Sequence, residues 1–227
     1  MNILALSGWG QPHDALAAVF PQAAHVDYAR HDSVDAALEE IARAGREAEL
    51  AVGWSLGGQL LARAVAAGLL APKKLVLIAA PFQFVEMNGS GLGMKRDTFD
   101  QFLSNYVQNP LRTLSKAWEL VPFDDARAPA IRETMGLFSK QAVLAADWLK
   151  WLKLIEGYSC ESLDFSAFPP TLLVHGEEDV VVGVNQSRAF AGRLPRARLE
   201  VWSGCGHAPH WHDSKRLQAL IAEHARV

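Results

Sequence analysis

The sequence predicts an α/β protein: a mainly parallel sheet of about six strands with helices on both faces, interrupted by an all-helical block. Three observations carry this. Short apolar runs alternate with helical patterns up to residue 80 and again from residue 171. The run at 75–80, Leu-Val-Leu-Ile-Ala-Ala, has the continuous apolar character of a strand buried on both faces. Between 82 and 165 the strand rhythm stops and only helical spacing remains.

The elements follow in order. Residues 3–6 are a short apolar run closed by Ser7-Gly8-Trp9-Gly10, a buried strand and then a turn. Residues 25–28 form a weak second strand. Val34, Leu38 and Ile41 give 32–46 helical spacing, with Asp32 or Ser33 as N-cap. Residues 50–54 are a strand stopped by glycine, and 56–67 a helix. After Pro81 comes the glycine-rich stretch Asn88-Gly-Ser-Gly-Leu-Gly93, and then four helical patterns near 95–107, 110–121, 127–139 and 141–156. Asn109-Pro110 is a strong helix start, with Asn as cap and Pro in the first turn. Strands return at 171–175 and 198–202, with a helix between them and a last helix at 213–225. The expected division is a core of 1–81 and 166–227 with a helical insertion at 82–165.

Composition narrows the class. The chain has 227 residues, half of them apolar, and a net charge of −3. That length buries a core without staples. No global basic field is present to hold nucleic acid or an anionic membrane. Two cysteines are too few for a disulfide framework, and the first residues lack the basic segment of a secretory signal. No apolar run approaches membrane-spanning length. The expectation is a cytoplasmic monomer.

Gly53-Trp54-Ser55-Leu56-Gly57-Gly58 follows a predicted strand and opens a predicted helix, the context in which G-x-S-x-G forms a nucleophile elbow. Such a sharp turn holds the serine in strained geometry and lifts its hydroxyl clear. Gly53 and Gly57 flank it because side chains there would collide across the turn. Serine needs a base. Of eight histidines, His207 stands out, presented after a strand by Ser203-Gly204-Cys205-Gly206-His207. His175 closes a strand and points inward, and His210 and His212 are read as surface residues. Asp179 follows the strand at 171–175 and is the candidate acid, with Glu177 and Glu178 as neighbouring alternatives. Ser55, Asp179 and His207 all fall at C-terminal strand ends, the edge where open α/β sheets bind ligands. The oxyanion donors map to the backbone N–H groups of Leu56 and Trp9. The Trp9 side chain is either a pocket wall or core.

On these motifs the chain resembles the α/β-hydrolase superfamily along essentially its whole length. It is most similar to the pimeloyl-acyl-carrier-protein methyl ester esterases of biotin synthesis, through Gly8-Trp9-Gly10, the serine turn, Gly93-Met94-Lys95 and Gly206-His207-Ala208-Pro209. The resemblance implies a serine carboxylesterase that needs no metal or organic cofactor, with a four-helix lid over the triad and an ester substrate that is small or carried on acyl carrier protein. Trp9, Phe82, Phe102, Phe138 and Val181 are the expected pocket contacts. Arg112, Lys116, Lys150 and Lys153 are the expected carrier contacts, although 82–165 as a whole holds nine Lys/Arg against eleven Asp/Glu. The chain departs from the family pattern in opening directly on what would be its third strand. The segment Tyr28-Ala-Arg-His-Asp-Ser33 lacks the common Asp-x-x-Gly-x-Gly-x-Ser, and His210 stands where many relatives carry an apolar residue.

Rival readings remain at this point: a C–C bond, lipid or lactone hydrolase of the same fold, a metal hydrolase using His207, His210 and His212, and a catalytically silent binding protein.

Overall fold

The computed structural model describes residues 1–226. Six strands, β1 (Ile3–Leu6), β2 (Ala24–His25), β3 (Leu50–Trp54), β4 (Lys74–Ile78), β5 (Thr171–Gly176) and β6 (Ala197–Trp202), form one sheet in the order β2-β1-β3-β4-β5-β6. All five pairings are parallel. Every residue of β3 and β5 is buried, as expected for strands covered on both faces. The chain leaves β1 outward to β2 and returns to β3 on the other side of β1. This reversal opens a crevice at the C-terminal ends of β1 and β3.

The helices are α1 (Val34–Ala44), α2 (Leu56–Ala66), α3 (Arg96–Gln108), α4 (Pro110–Leu120), α5 (Ala128–Gly136), α6 (Lys140–Val143), α7 (Trp148–Ile155), α8 (Asn185–Arg193), α9 (Pro209–His212) and α10 (Ser214–Arg226). Their starts follow local chemistry. The Ser33 hydroxyl accepts from Ala36 N–H at 3.1 Å, and Asn109 Oδ1 accepts from Arg112 N–H at 3.0 Å with Pro110 in the first turn.

Several expectations shift. The weak second strand is only Ala24–His25, and Tyr28–Arg30 is a single 3₁₀ turn. The strand expected to reach residue 80 stops at Ile78, because Ala79 adopts a left-handed φ of 47°. The fourth helical pattern splits into α6 and α7, since Asp147 caps a new helix by accepting from Lys150 N–H at 3.0 Å. Five short helices, α3 to α7, therefore stand between β4 and β5.

Candidate active site

Ser55 sits between β3 and α2 with φ 53° and ψ −125°, a conformation L-residues avoid. The sheet imposes it. Ser55 N–H is bonded to Ile78 O at 2.8 Å, and α2 begins one residue later. The flanking glycines are sterically required. A Cβ on Gly53 would lie 2.5 Å from Gly58 Cα, and one on Gly57 would strike the carbonyls of Leu6 and Ser7. Gly8 lies against the serine as well, since a Cβ there would stand 3.6 Å from Ser55 Oγ.

His207 and Asp179 meet. His207 Nδ1 and Asp179 Oδ2 are 2.7 Å apart, and both side chains are buried. Asp179 Oδ1 accepts from the backbone N–H groups of Val181 and Val182, each at 2.8 Å. Burial alone would raise the Asp179 carboxyl. The facing His207, with hydrogen bonds from His175 and His207, outweighs it and holds the group well below the usual carboxylate range. Glu178, one of the alternatives, instead accepts from Cys205 N–H at 3.0 Å.

His175, predicted to point inward, does so. Its Nε2 lies 2.7 Å from Val182 O and 3.2 Å from Asp179 Oδ2, and its Nδ1 lies 2.7 Å from Ser187 Oγ. Two acceptors face Nε2, so that nitrogen carries the proton while Nδ1 accepts from the serine. Asp179 is thus held by two imidazoles and two backbone amides.

The loop after β1 is equally constrained. Ser7 O accepts from Tyr28 O–H at 3.0 Å, Gly10 O accepts from Trp118 Nε1–H at 2.7 Å, and Trp9 Nε1–H donates to Trp148 O at 3.1 Å. Aromatic groups from α4 and α7 therefore fix the segment carrying Trp9 N–H.

Gly8, Trp9, Ser55 and His207 line one cavity of about 430 Å³. Trp9, Phe102 and Val181 contribute to its wall, as expected. None of its lining residues is Lys, Arg, Asp or Glu. Two expected contacts lie elsewhere. Phe82 is buried as core against Phe165 and Phe190, the latter on α8, rather than on the cavity wall. Phe138 faces a separate cavity with Gln11 and Trp148 and lies tilted against Trp211 at 6.0 Å between ring centroids. Gln11, Gln83, Met94 and Trp118, which sequence reasoning did not select, do line the site.

His210 and His212 are not the surface residues expected. His210 is fully buried between Trp54 and Trp211, each ring centroid 4.5 Å away, with both ring nitrogens unpartnered. Burial, reinforced by nearby His207, holds it well below an ordinary imidazole. His212 pairs with Asp125 at 2.8 Å. The structure therefore does not gather His207, His210 and His212. Among the described residues, Asp125, Cys205 and His212 do bring potential ligand atoms within 4.8 Å of one another. There the carboxylate already accepts three N–H groups, and burial followed by the neighbouring carboxylates pushes the Cys205 thiol up.

An elbow serine, a histidine–aspartate pair and an apolar cavity at the switch point of a parallel sheet are the parts of a hydrolase site. The chain belongs to the alpha/beta hydrolase family, whose model matches residues 3–220. It is 31% identical over 185 residues to the pimeloyl-[acyl-carrier protein] methyl ester esterase of Nitrosomonas europaea, covering 78% of this chain and 71% of that protein. It is 30% identical over 207 residues to the enzyme of the same description from Xanthomonas oryzae, covering 86% and 80%. Among solved structures, an esterase from Exiguobacterium antarcticum superposes with a TM-score of 0.84 at 16% identity, over all of this chain and 92% of the other.

Proposed function

We propose that the chain is a serine carboxylesterase acting through Ser55, His207 and Asp179 on the methyl ester of a pimeloyl group carried on acyl carrier protein. The observation that carries the chemistry is the buried 2.7 Å contact between His207 Nδ1 and Asp179 Oδ2, with His207 and the strained Ser55 on one cavity. Asp179 fixes the tautomer that leaves His207 Nε2 free to accept the Ser55 proton. Ser55 Oγ then attacks the ester carbonyl. The N–H groups of Leu56 and Trp9 receive the oxyanion. His207 protonates the departing alkoxide, which leaves as the alcohol, and water attacks the acyl-enzyme by the same route, releasing the acid and restoring Ser55.

The substrate assignment draws on the two named relatives. The uncharged lining suits an alkyl chain whose far end is masked rather than a free carboxylate. Residues 82–165 serve as the lid over this cavity, and their polar surface is the carrier-docking face. Arg112, Lys116 and Lys153 are exposed there, while Lys150 is bonded to Asp32 at 2.7 Å and serves the lid itself. The two free thiols fit a reducing cytoplasm, and the proposed working form is a monomer.

Two measurements test this. Ser55→Ala should abolish turnover of p-nitrophenyl butyrate and covalent labelling by a fluorophosphonate. Full activity in that variant would remove the triad assignment. The wild-type chain should hydrolyse methyl pimeloyl-carrier with a higher kcat/KM than short p-nitrophenyl esters. The reverse ranking would leave a general esterase in its place.

A further inference from the structure

We infer that Asp125, on the turn between α4 and α5, is a positioning residue for the base: the insertion itself holds the His207 loop in its working place. The inference rests on the triad reading given above.

The loop 204–207 carries His207, and its backbone is gripped from two sides. On the sheet side, Cys205 N–H donates to Glu178 Oε2, and Glu178 N–H donates to Cys205 O, both at 3.0 Å. On the insertion side, Gly206 N–H donates to Asp125 Oδ2 at 2.7 Å and His207 N–H to Val121 O at 3.1 Å. Ala126 N–H closes the grip on Gly204 O at 2.8 Å. Asp125 is aimed in turn by Arg127 N–H at 2.7 Å and His212 Nδ1 at 2.8 Å, both on Oδ1. Its side chain is fully buried, so these bonds work without competition from solvent.

The approach is also sterically closed. A methyl group on Gly206 would stand 3.0 Å from Val121 O and 3.2 Å from Phe123 O. Gly206 therefore lets the insertion's backbone come against the residue just before the base. The α4–α5 corner is thereby packed directly against the loop that carries the base.

A conservative variant isolates the contact. Asparagine offers one acceptor and one donor group. In Asp125→Asn the oxygen goes to the side where two donors converge, Arg127 N–H and His212, and the amide nitrogen is left facing Gly206 N–H. The loop is pushed without emptying the site. Asp124→Asn makes the same chemical change on the neighbouring exposed carboxylate and leaves the Gly206 bond in place.

The experiment measures kcat and KM for p-nitrophenyl butyrate, and the downfield proton resonance of the His207–Asp179 hydrogen bond, in the full chain. A 1 Å misplacement can cost on the order of 100-fold, so a smaller shift of the base should cost on the order of 10-fold. Asp125→Asn is expected to lower kcat by that factor at nearly unchanged KM and to shift or broaden the resonance. Asp124→Asn is expected to keep both near wild type. If Asp125→Asn does not fold, Gly206→Ala, which presses on the same contact, must give the same kcat loss and resonance change. Wild-type kcat and an unchanged resonance in the folded variant would overturn the inference, as would an equal loss of kcat in Asp124→Asn. The Ser55→Ala control separates the two failures. If Ser55→Ala stays active, the triad reading fails. If it is dead while Asp125→Asn behaves as wild type, only the positioning role fails.

Discussion

Replacing Asp179 with asparagine changes one atom and should almost erase turnover while leaving the fold in place. The carboxylate accepts from Val181 and Val182 N–H through Oδ1 and faces His207 Nδ1 and His175 Nε2 through Oδ2. The asparagine oxygen keeps the two backbone donors, so its NH₂ turns toward the imidazoles. His175 keeps a partner for its proton in Val182 O at 2.7 Å. His207 has no such second acceptor at Nδ1, and it relieves the donor–donor clash by moving its proton to Nε2. That tautomer presents N–H, not a lone pair, to Ser55. The stability cost is that of about one disturbed hydrogen bond, about 1–3 kcal/mol. The catalytic cost follows the same replacement in serine protease triads, about 10,000-fold in kcat, or about 5 kcal/mol of barrier. The assay is kcat for p-nitrophenyl butyrate beside a thermal melt. A variant within tenfold of wild-type kcat would refute the tautomer argument. A pH series adds a sign. The Asp179 carboxyl is depressed in the fold, so its contribution to stability is complete above its unfolded value of about 3.9 and fades as pH falls toward the folded one. The gap in stability between wild type and Asp179→Asn should therefore narrow on acidification below about pH 4; a gap that widens there would contradict the ion-pair account.

The remaining expectations concern the frame of the site. Gly57→Ala places a methyl group against the carbonyls of Leu6 and Ser7, which belong to the sheet and its exit and cannot yield. A loss of about 3 kcal/mol is expected, seen as a drop in Tm of roughly 6–12 °C for a chain of this size, with an unchanged Tm arguing against the packed elbow. Phe82→Ala should cost about 3–5 kcal/mol with KM unchanged, because its ring lies in the core. Phe102→Ala should raise KM for longer acyl esters at smaller cost, and identical behaviour of the two variants would mean the cavity wall is misassigned.

The features that could be read from the sequence are those encoded locally. The strand at 50–54, the glycine-flanked serine and the Asn109-Pro110 start each depend on residues within a few positions of one another, and each stands as expected. Asp179 and His207 were selected by their places after strands, and the sheet order brings them together. What escaped depended on distant partners. Phe82 and Phe138 sit in the insertion like Phe102, and spacing alone does not say which wall each ring joins. His210 looked like a surface residue until the Trp54 and Trp211 rings closed over it. Asp125 was an acidic residue in a polar turn, and nothing nearby in the chain announces the Gly206 amide 81 positions away.

The left-handed backbone at Ser55 sets stability against activity. Glycine would occupy φ 53° with far less strain than serine. The native fold thus carries a local penalty at the residue proposed as the nucleophile, held down by the surrounding sheet and by α2. A population of such chains drifting under selection for robustness alone would be expected to lose its serine there first, and would leave behind a sturdier, inert protein of the same shape.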